Sequence, residues 1–171
     1  MAITEAYTAP ALGWLRTLAG LLYKPARLQI AALCYRWKDG ELEVLLVTSR
    51  EKGRWILPKG WPELDQEAFE TAVTEAFEEA GARGRPDRRA FGSFRSHKGL
   101  SNGLELRTKV LVFPIEVDRL LEDFPEKGQR QRAWMPVARA IEMADEPGAR
   151  ALLRRFAKRK KTPVSSRPQT G

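Results

Sequence analysis

The chain has 171 residues, a mass of 19.4 kDa, 43% apolar residues, 30% charged residues and a net charge of +8. This composition excludes a disordered or fibrous protein, and the length fits a single domain. No apolar run approaches the ~20 residues of a membrane-spanning helix, so we expect no membrane contact. The single cysteine, Cys34, excludes an internal disulfide and a metal site built from several cysteines. The first ten residues contain an acid and no basic residue, so we expect no secretory leader and a cytoplasmic location.

The positive charge is concentrated near the end of the chain. Residues 154–171 contain seven Lys or Arg residues and no acid, which leaves a net charge of +1 on residues 1–153. A basic end of this kind is more often a solvated tail than a binding arm. We therefore do not expect nucleic acid as a partner.

The first half of the chain predicts a helix, a hairpin and a second, clearer helix. Leucines at helical spacing predict a short amphipathic helix over residues 11–23. Short apolar runs predict strands over residues 28–35 and 42–48, followed by a basic and aromatic loop over residues 49–61. The clearest helix is predicted from Gln66 to Ala80, with Asp65 as its N-cap and Gly81 as its C-terminal stop.

The second half predicts the rest of a layered domain. Strands are expected over residues 91–95 and 106–117, on either side of a basic loop, and a last short strand is expected over residues 132–135. Two helices, near residues 137–143 and 148–157, would close the domain. Strands flanked by helices on this scale indicate an α/β or α+β layered domain.

Three carboxylates share one side of the helix predicted over residues 66–80. Glu75, Glu78 and Glu79 stand at positions i, i+3 and i+4, where like charges repel by a few tenths of a kcal/mol per pair, and the helix dipole disfavours acids near the C-terminal end. A Mg²⁺ ion would turn this repulsion into attraction, because it takes oxygen ligands and is held by a few carboxylates together with substrate phosphate. Acidic helix faces are also common solvated surfaces, and the helix alone does not decide between the two interpretations.

The loop that precedes this helix favours the metal site. The segment Leu57-Pro58-Lys59-Gly60 leads into the helix, and three cations stand just before the carboxylates: Arg50, Arg54 and Lys59. Cations that bind an anion beside acids that bind a metal suit a phosphate ester. Each cation taken alone is an ordinary surface residue, but together they indicate a phosphate site, with Gly60 as a part of its loop.

The segment from Gly60 to Ala82 resembles the Nudix box, G-x5-E-x7-R-E-U-x-E-E-x-G-U, in which U is a bulky aliphatic residue. Five anchors stand at the required spacing: Gly60, Glu75, Glu78, Glu79 and Gly81. Four positions depart from the box: Gln66, Thr74, Ala76 and Ala82. In the family, the Glu at position 66 and the Arg at position 74 brace the loop and helix around the metal. Their loss implies a cost of roughly one or two orders of magnitude in rate.

The resemblance covers residues 27–157 and is strongest to the diphosphoinositol polyphosphate phosphohydrolase branch of the Nudix hydrolases. It includes the segments AALCYR, EVLLVTSR, RWILPKG and EDFPEKGQRQRAW. It implies an α/β fold, namely an α/β/α sandwich with a mixed sheet, between an N-terminal extension over residues 1–26 and a disordered basic tail over residues 158–171. It also implies Mg²⁺-dependent cleavage of a phosphoanhydride, with Mn²⁺ as a substitute metal. The implied substrates are small molecules, diphosphoinositol or diadenosine polyphosphates, and a homodimer is one open arrangement.

The resemblance also assigns roles to individual residues. Glu75 and Glu79 would be metal ligands, and Glu78 would accept the proton of the attacking water, although family members differ on which of Glu78 and Glu79 is the base. Ser49 and Arg50 match a loop that contacts substrate. Arg130 or Arg132 matches a later basic residue that binds phosphate.

Two alternatives remain open. The first is a module with the same fold that binds such anions with weak or absent catalysis, which the departures at Gln66 and Thr74 favour. The second is a hydrolase that processes RNA ends, which the basic tail favours.

Overall fold

A computed structural model of the chain describes residues 27–99 and 105–160. The helix predicted over residues 11–23 and most of the basic tail lie outside the described residues. The described part of the chain forms, in order, the following elements: β1 (Arg27–Lys38), β2 (Glu41–Thr48), β3 (Trp55–Ile56), β4 (Lys59–Gly60), α1 (Ala68–Ala80), β5 (Ala82–Pro86), β6 (Gly92–Gly99), β7 (Glu105–Leu120), β8 (Arg132–Pro136), α2 (Val137–Met143) and α3 (Pro147–Arg159).

The strands form one mixed sheet with β1 at its centre. The main path of the sheet is β3-β2-β1-β7-β5, while β4 pairs with β1, β6 with β7 and β8 with β2. Only the β1–β7 pair is parallel among the strand pairs of the described residues, and the others are antiparallel. A central strand is covered on both faces, which explains why β1 carries a nearly continuous apolar run rather than an alternating pattern.

Helices cover both faces of the sheet. On one face, α1 packs its small apolar side against β1, β2 and β7, and the helix contributes Phe69, Ala72, Ala76 and Ala80 to that core. On the other face, α2 and α3 form a second core, to which α3 contributes Ala149, Leu152, Leu153 and Phe156. The expected α/β/α sandwich with a mixed sheet is confirmed. No helix in the described ranges is long and apolar enough to cross a membrane.

The ends of α1 show where a local pattern predicts a helix well and where it does not. The prediction for its C-terminus is confirmed: Gly81 has φ 64°, and its N–H donates to the Phe77 carbonyl at 2.8 Å. The predicted N-cap is wrong, because the helix begins at Ala68 and its N-cap is Glu67 rather than Asp65. The Glu67 N–H donates to the Glu70 carboxylate at 2.8 Å, and this local bond sets the first turn two residues later than predicted.

Other differences come from pairing between distant segments. The strand β5 was not predicted, because its sequence ARGRP is polar and contains Gly and Pro, and it forms by pairing with β7 at the edge of the sheet. The segment predicted as one loop over residues 49–61 contains the two short strands β3 and β4. The last helix ends at Arg159, two residues beyond its predicted end, so Lys158 and Arg159 belong to α3.

Candidate active site

The centre of the site is the contact between α1 and β4. Gly60 of β4 lies so close to Glu75 of α1 that a Cβ atom added at Gly60 would stand 1.7 Å from the Glu75 Oε1. Glycine at position 60 therefore leaves room for the Glu75 carboxylate, and a larger residue there would displace it. The strand passes directly against the carboxylate and limits where that carboxylate can go.

Glu75 has no direct counter-ion among the described residues. Burial, followed by the charges of Glu79, Glu78 and Glu126, raises the pKa of Glu75 to about 8, although the Arg130 charge opposes the rise. Within the described residues, no hydrogen bond or ion pair reaches the Glu75 carboxylate. A half-buried carboxylate in this state is stabilised by any cation that joins it.

Glu79 is the deepest of the three acids on the site-facing side of α1, Glu75, Glu78 and Glu79. Its Oε2 accepts a hydrogen bond from the Lys59 N–H at 3.3 Å, and its Oε1 pairs with the Arg130 guanidinium. The side chains of Arg130 and Glu79 are 7% and 5% exposed. Burial raises the pKa of Glu79 to about 7, although the Arg130 charge opposes that rise.

Arg130 donates hydrogen bonds to three groups. Besides Glu79, its guanidinium pairs with Glu126 and donates to the Thr48 carbonyl at 3.0 Å. The sequence does not distinguish Arg130 from Arg132 as the phosphate-binding residue, and of the two the structure brings Arg130 to the carboxylates of Glu79 and Glu126. Arg132 instead donates to the carbonyls of Ala80 and Leu121, both at 2.7 Å, and so binds the C-terminal end of α1.

Glu126 is a further acid of the site that no sequence pattern predicts. It pairs with Arg130, its Oε1 lies 3.5 Å from the Arg50 Nη1, and its backbone N–H donates to the Glu78 carbonyl at 3.0 Å. The only local signal is its place in the stretch from 122 to 134, which changes from acidic to basic. Nothing in that stretch indicates which of its acids reaches α1.

Glu78 and the loop after β2 complete the side of the site that faces solvent. The Glu78 side chain is exposed on the same turn of α1 that carries Glu75 and Glu79. The Ser49 Oγ accepts the Arg54 N–H at 3.1 Å and shapes the loop. Arg50 is 59% exposed beside Glu126, so its guanidinium is open to an anion from solvent.

The other two predicted cations are engaged with the corner between α2 and α3. The Lys59 Nζ lies 2.9 Å from the Glu146 carboxylate, and the Arg54 Nη1 lies 3.1 Å from the Asp145 carboxylate. Lys59 pairs in register with Ala31, which belongs to the core beneath α2 and α3. The Lys59 side chain therefore lies on the face of the sheet opposite to Glu75, while its backbone N–H serves Glu79.

Two of the four residues that depart from the Nudix box, Gln66 and Thr74, are hydrogen-bonded to each other. The Thr74 hydroxyl donates to the Gln66 Oε1 at 3.3 Å, and the Gln66 Nε2 donates to Glu63 at 2.8 Å. The loop and the helix are thus joined by a neutral hydrogen bond where the box has Glu and Arg.

The chemistry of these side chains fits a hard divalent cation. The donors are carboxylate oxygens, the set that Mg²⁺ prefers, and their pKa values are raised by burial first and then by neighbouring acids, so a cation would stabilise their ionised form. Within residues 27–99 and 105–160, no three His, Cys, Asp or Glu side chains already converge on one ion position. We attribute this to Arg130, which occupies Glu79, and to the outward position of Glu78.

Comparisons with known proteins agree with this architecture. A family model described as the NUDIX domain matches residues 27–156. Nudix hydrolase 21, chloroplastic, from Arabidopsis thaliana is 33% identical over 139 residues, which are 77% of this chain and 66% of that protein. Diphosphoinositol polyphosphate phosphohydrolase 3-beta from Bos taurus is 36% identical over 116 residues, 66% of each chain. The matches thus span slightly less than two thirds of these relatives.

Solved structures show the same fold at low identity. The C. elegans Ap4A hydrolase superposes with a TM-score of 0.57 and 20% identity, over 78% of this chain and 98% of that one. The NUDIX domain of Shewanella oneidensis NrtR, complexed with ADP ribose, superposes with a TM-score of 0.62 and 16% identity, over 86% of this chain and 98% of that one.

Proposed function

The chain belongs to the NUDIX hydrolase family, and we propose that it hydrolyses a phosphoanhydride bond in a polyphosphorylated small molecule with Mg²⁺. The observation that carries this proposal is the unpartnered Glu75 carboxylate, held against Gly60 beside buried Glu79. Mn²⁺ has similar ligand preferences and would substitute.

We propose that Glu75 and Glu79 hold the metal, with Glu126 as a third nearby acid. When bound, Mg²⁺ would polarise a phosphoryl oxygen and lower the pKa of a water bound to it. The fold provides this site by placing half-buried Glu75 and buried Glu79 one turn apart on α1 and by leaving Glu75 without a direct partner.

Glu78 is the proposed proton acceptor for the attacking water. Its carboxylate is exposed, so water can reach it without a rearrangement of the core. Glu79 is buried and bonded to Lys59 and Arg130, which suits a ligand better than a base that must exchange protons with solvent.

The substrate phosphates are proposed to bind Ser49, Arg50 and Arg130. The open position of Arg50 and the place of Arg130 beside Glu79 support this. Lys59 and Gly60 would contribute through the backbone of β4, while Arg54 and Arg132 would shape the loop and the end of α1.

The substrate class is proposed from the relatives. One curated relative is named a diphosphoinositol polyphosphate phosphohydrolase, and one structural neighbour is titled an Ap4A hydrolase. We propose a diphosphoinositol polyphosphate or a diadenosine polyphosphate as the substrate. The cytoplasmic location and the homodimer stay predictions.

The test is a substrate panel assayed by phosphate release with Mg²⁺. Hydrolysis of a diphosphoinositol or diadenosine polyphosphate, lost in Glu78→Gln and retained in Glu142→Gln, would support the proposal. Glu142 is a fair control because it is exposed on α2 and pairs only with Arg139 among the described residues. No turnover of any substrate on the panel would reject it.

The second candidate is a module that binds such anions without cleaving them. The neutral Gln66–Thr74 hydrogen bond favours it, because an uncharged contact braces the loop less firmly than an ion pair. Tight binding of the same polyphosphates with no product would identify this second function.

A further inference from the structure

A buried ion pair lies directly behind the candidate site. The Lys59 Nζ and a Glu146 carboxylate oxygen are 2.9 Å apart, and the two side chains are only 11% and 13% exposed. The second carboxylate oxygen of Glu146 accepts the Ser96 hydroxyl. Glu146 is also the N-cap of α3, where the helix dipole favours negative charge.

Such a pair is not explained by stability alone. Burying two charges costs about as much as their attraction returns, and apolar side chains of similar size are often at least as stable. The pair does, however, impose a definite position on the backbone that carries it. That backbone is β4, which has only two residues and pairs with Ile30 and Ala31 of β1.

The same two residues of β4 support half-buried Glu75 and buried Glu79 on the opposite face. The Lys59 N–H donates to Glu79, and Gly60 lies against the Glu75 carboxylate. A strand this short has few ladder hydrogen bonds of its own. Besides the Ala32 N–H bond to the Pro58 carbonyl at 2.9 Å and the buried Leu57, the anchoring of the Lys59 side chain therefore contributes to its position.

Asp145, the residue before Glu146, contacts the segment before β4 from the same corner between α2 and α3. The Asp145 N–H donates to the Trp55 carbonyl at 2.8 Å, and the Asp145 carboxylate pairs with Arg54. The corner between α2 and α3 thus contacts this part of the chain at two points, one before β4 and one within it.

We propose that Glu146 is a positioning residue that acts through Lys59. It holds β4 so that the backbone of residues 59–60 supports Glu79 and Glu75 in the geometry that binds a divalent cation. The catalytic role of Glu146 rests on the proposed function. Its effect on the position of β4 rests on the contacts of Lys59 with Glu79 and of Gly60 with Glu75.

The experiment compares Glu146→Gln with Glu142→Gln, the variant of an exposed ion pair on the neighbouring helix. Amide hydrogen exchange at residues 59 and 60, Mn²⁺ binding by calorimetry without substrate, and the kinetic constants are measured in each. In Glu146→Gln we expect faster exchange at both amides, Mn²⁺ affinity and kcat about 10-fold lower, and KM within about twofold, as for residues that orient metal ligands. In Glu142→Gln we expect no change.

Two further variants separate positioning from general destabilisation. Leu153→Ala removes a fully buried side chain of the same core and should lower the melting temperature without changing Mn²⁺ affinity. The double variant Lys59→Met/Glu146→Leu leaves no unpaired charge, so it should lose stability only through the Ser96 hydrogen bond and should still bind Mn²⁺ weakly. If Glu146→Gln does not fold, the Mn²⁺ affinity of this double variant tests the inference instead.

Unchanged amide exchange and unchanged Mn²⁺ affinity in Glu146→Gln would overturn the inference. So would full Mn²⁺ affinity in the double variant, or a loss in Leu153→Ala as large as that in Glu146→Gln. An absence of any hydrolysis by the unaltered protein would reject the proposed function instead. The exchange and Mn²⁺ measurements would then still decide the role of Glu146.

Discussion

The Arg130 guanidinium and the Glu79 carboxylate form an ion pair in which both side chains are more than nine-tenths buried. Arg130 thereby acts as the internal counter-ion of a site that holds three acids, since it also pairs with Glu126 and lies near Glu75. A divalent cation at the same acids would take over that neutralising role. The guanidinium would then be free to bind a substrate phosphate.

The first prediction concerns Arg130→Met. Removing Arg130 raises the pKa of Glu75 and Glu79 further, so the comparison needs a pH well above about 8. There, without substrate, this variant should bind Mn²⁺ more tightly than the unaltered protein, because a competing cation has been removed. Its KM should rise by about 10- to 100-fold, since a hydrogen bond to a charged group contributes about 1.5–3 kcal/mol. Calorimetry and steady-state kinetics check the two parts. Weaker Mn²⁺ binding would instead mean that Arg130 organises the acids for the metal.

The second prediction concerns Gly60→Ala. The added methyl group would overlap the Glu75 carboxylate, which sits at the end of a flexible side chain and can turn away. We therefore expect a melting temperature within a few degrees of the unaltered protein, but a loss of Mn²⁺ binding. Adding Glu75→Asp shortens the carboxylate and should restore part of the binding. A fully active Gly60→Ala variant would show that the close approach has no role.

The third prediction is a pH dependence of the metal-free protein. The pKa values of Glu75 and Glu79 are raised to about 8 and about 7 in the folded state, against 4.5 for an ordinary glutamate. The folded protein therefore binds more protons than the unfolded chain between these limits, and stability must fall as pH rises through that window. Urea unfolding from about pH 5 to about pH 8 measures this, with and without Mg²⁺.

Two controls accompany the pH series. Mg²⁺ should reduce the fall in stability, because it binds the deprotonated carboxylates. Glu75→Gln should flatten the upper part of the profile, since the amide does not titrate. A stability that stays constant or increases over the same window in the unaltered protein would contradict the raised pKa values.

The fourth prediction tests the neutral contact between Thr74 and Gln66. The double variant Thr74→Arg/Gln66→Glu replaces a hydrogen bond of 3.3 Å between two uncharged groups with an ion pair. If the protein is a slow enzyme, kcat should rise by about 10-fold, the usual scale for contacts that orient metal ligands. Each single variant should be slower than the double variant because it adds an unpaired charge. An unchanged kcat would show that the neutral contact already suffices.

Much of the fold follows from local patterns. The apolar run of β1, the hairpin to β2 and the helical periodicity before Gly81 identify elements that the structure contains. The strand β5 was not identifiable, because its residues ARGRP have no strand pattern and its backbone forms the strand by pairing with β7. The N-cap prediction for α1 is wrong because Asp is a preferred N-cap residue and Glu is not, and only the reciprocal contact of Glu67 with Glu70 shows where the first turn begins.

The acids of α1 and the cations around them differ in how far local sequence determines their positions. Helical geometry places Glu75, Glu78 and Glu79 on one turn whatever the rest of the chain does, so their spacing alone was enough to suggest a cation. Local sequence does not determine which cation pairs with which acid. Arg130 meets Glu79 across 51 residues, and Lys59 meets Glu146 across 87. Strand pairing and helix docking decide such contacts, because they set which side of the sheet each side chain occupies.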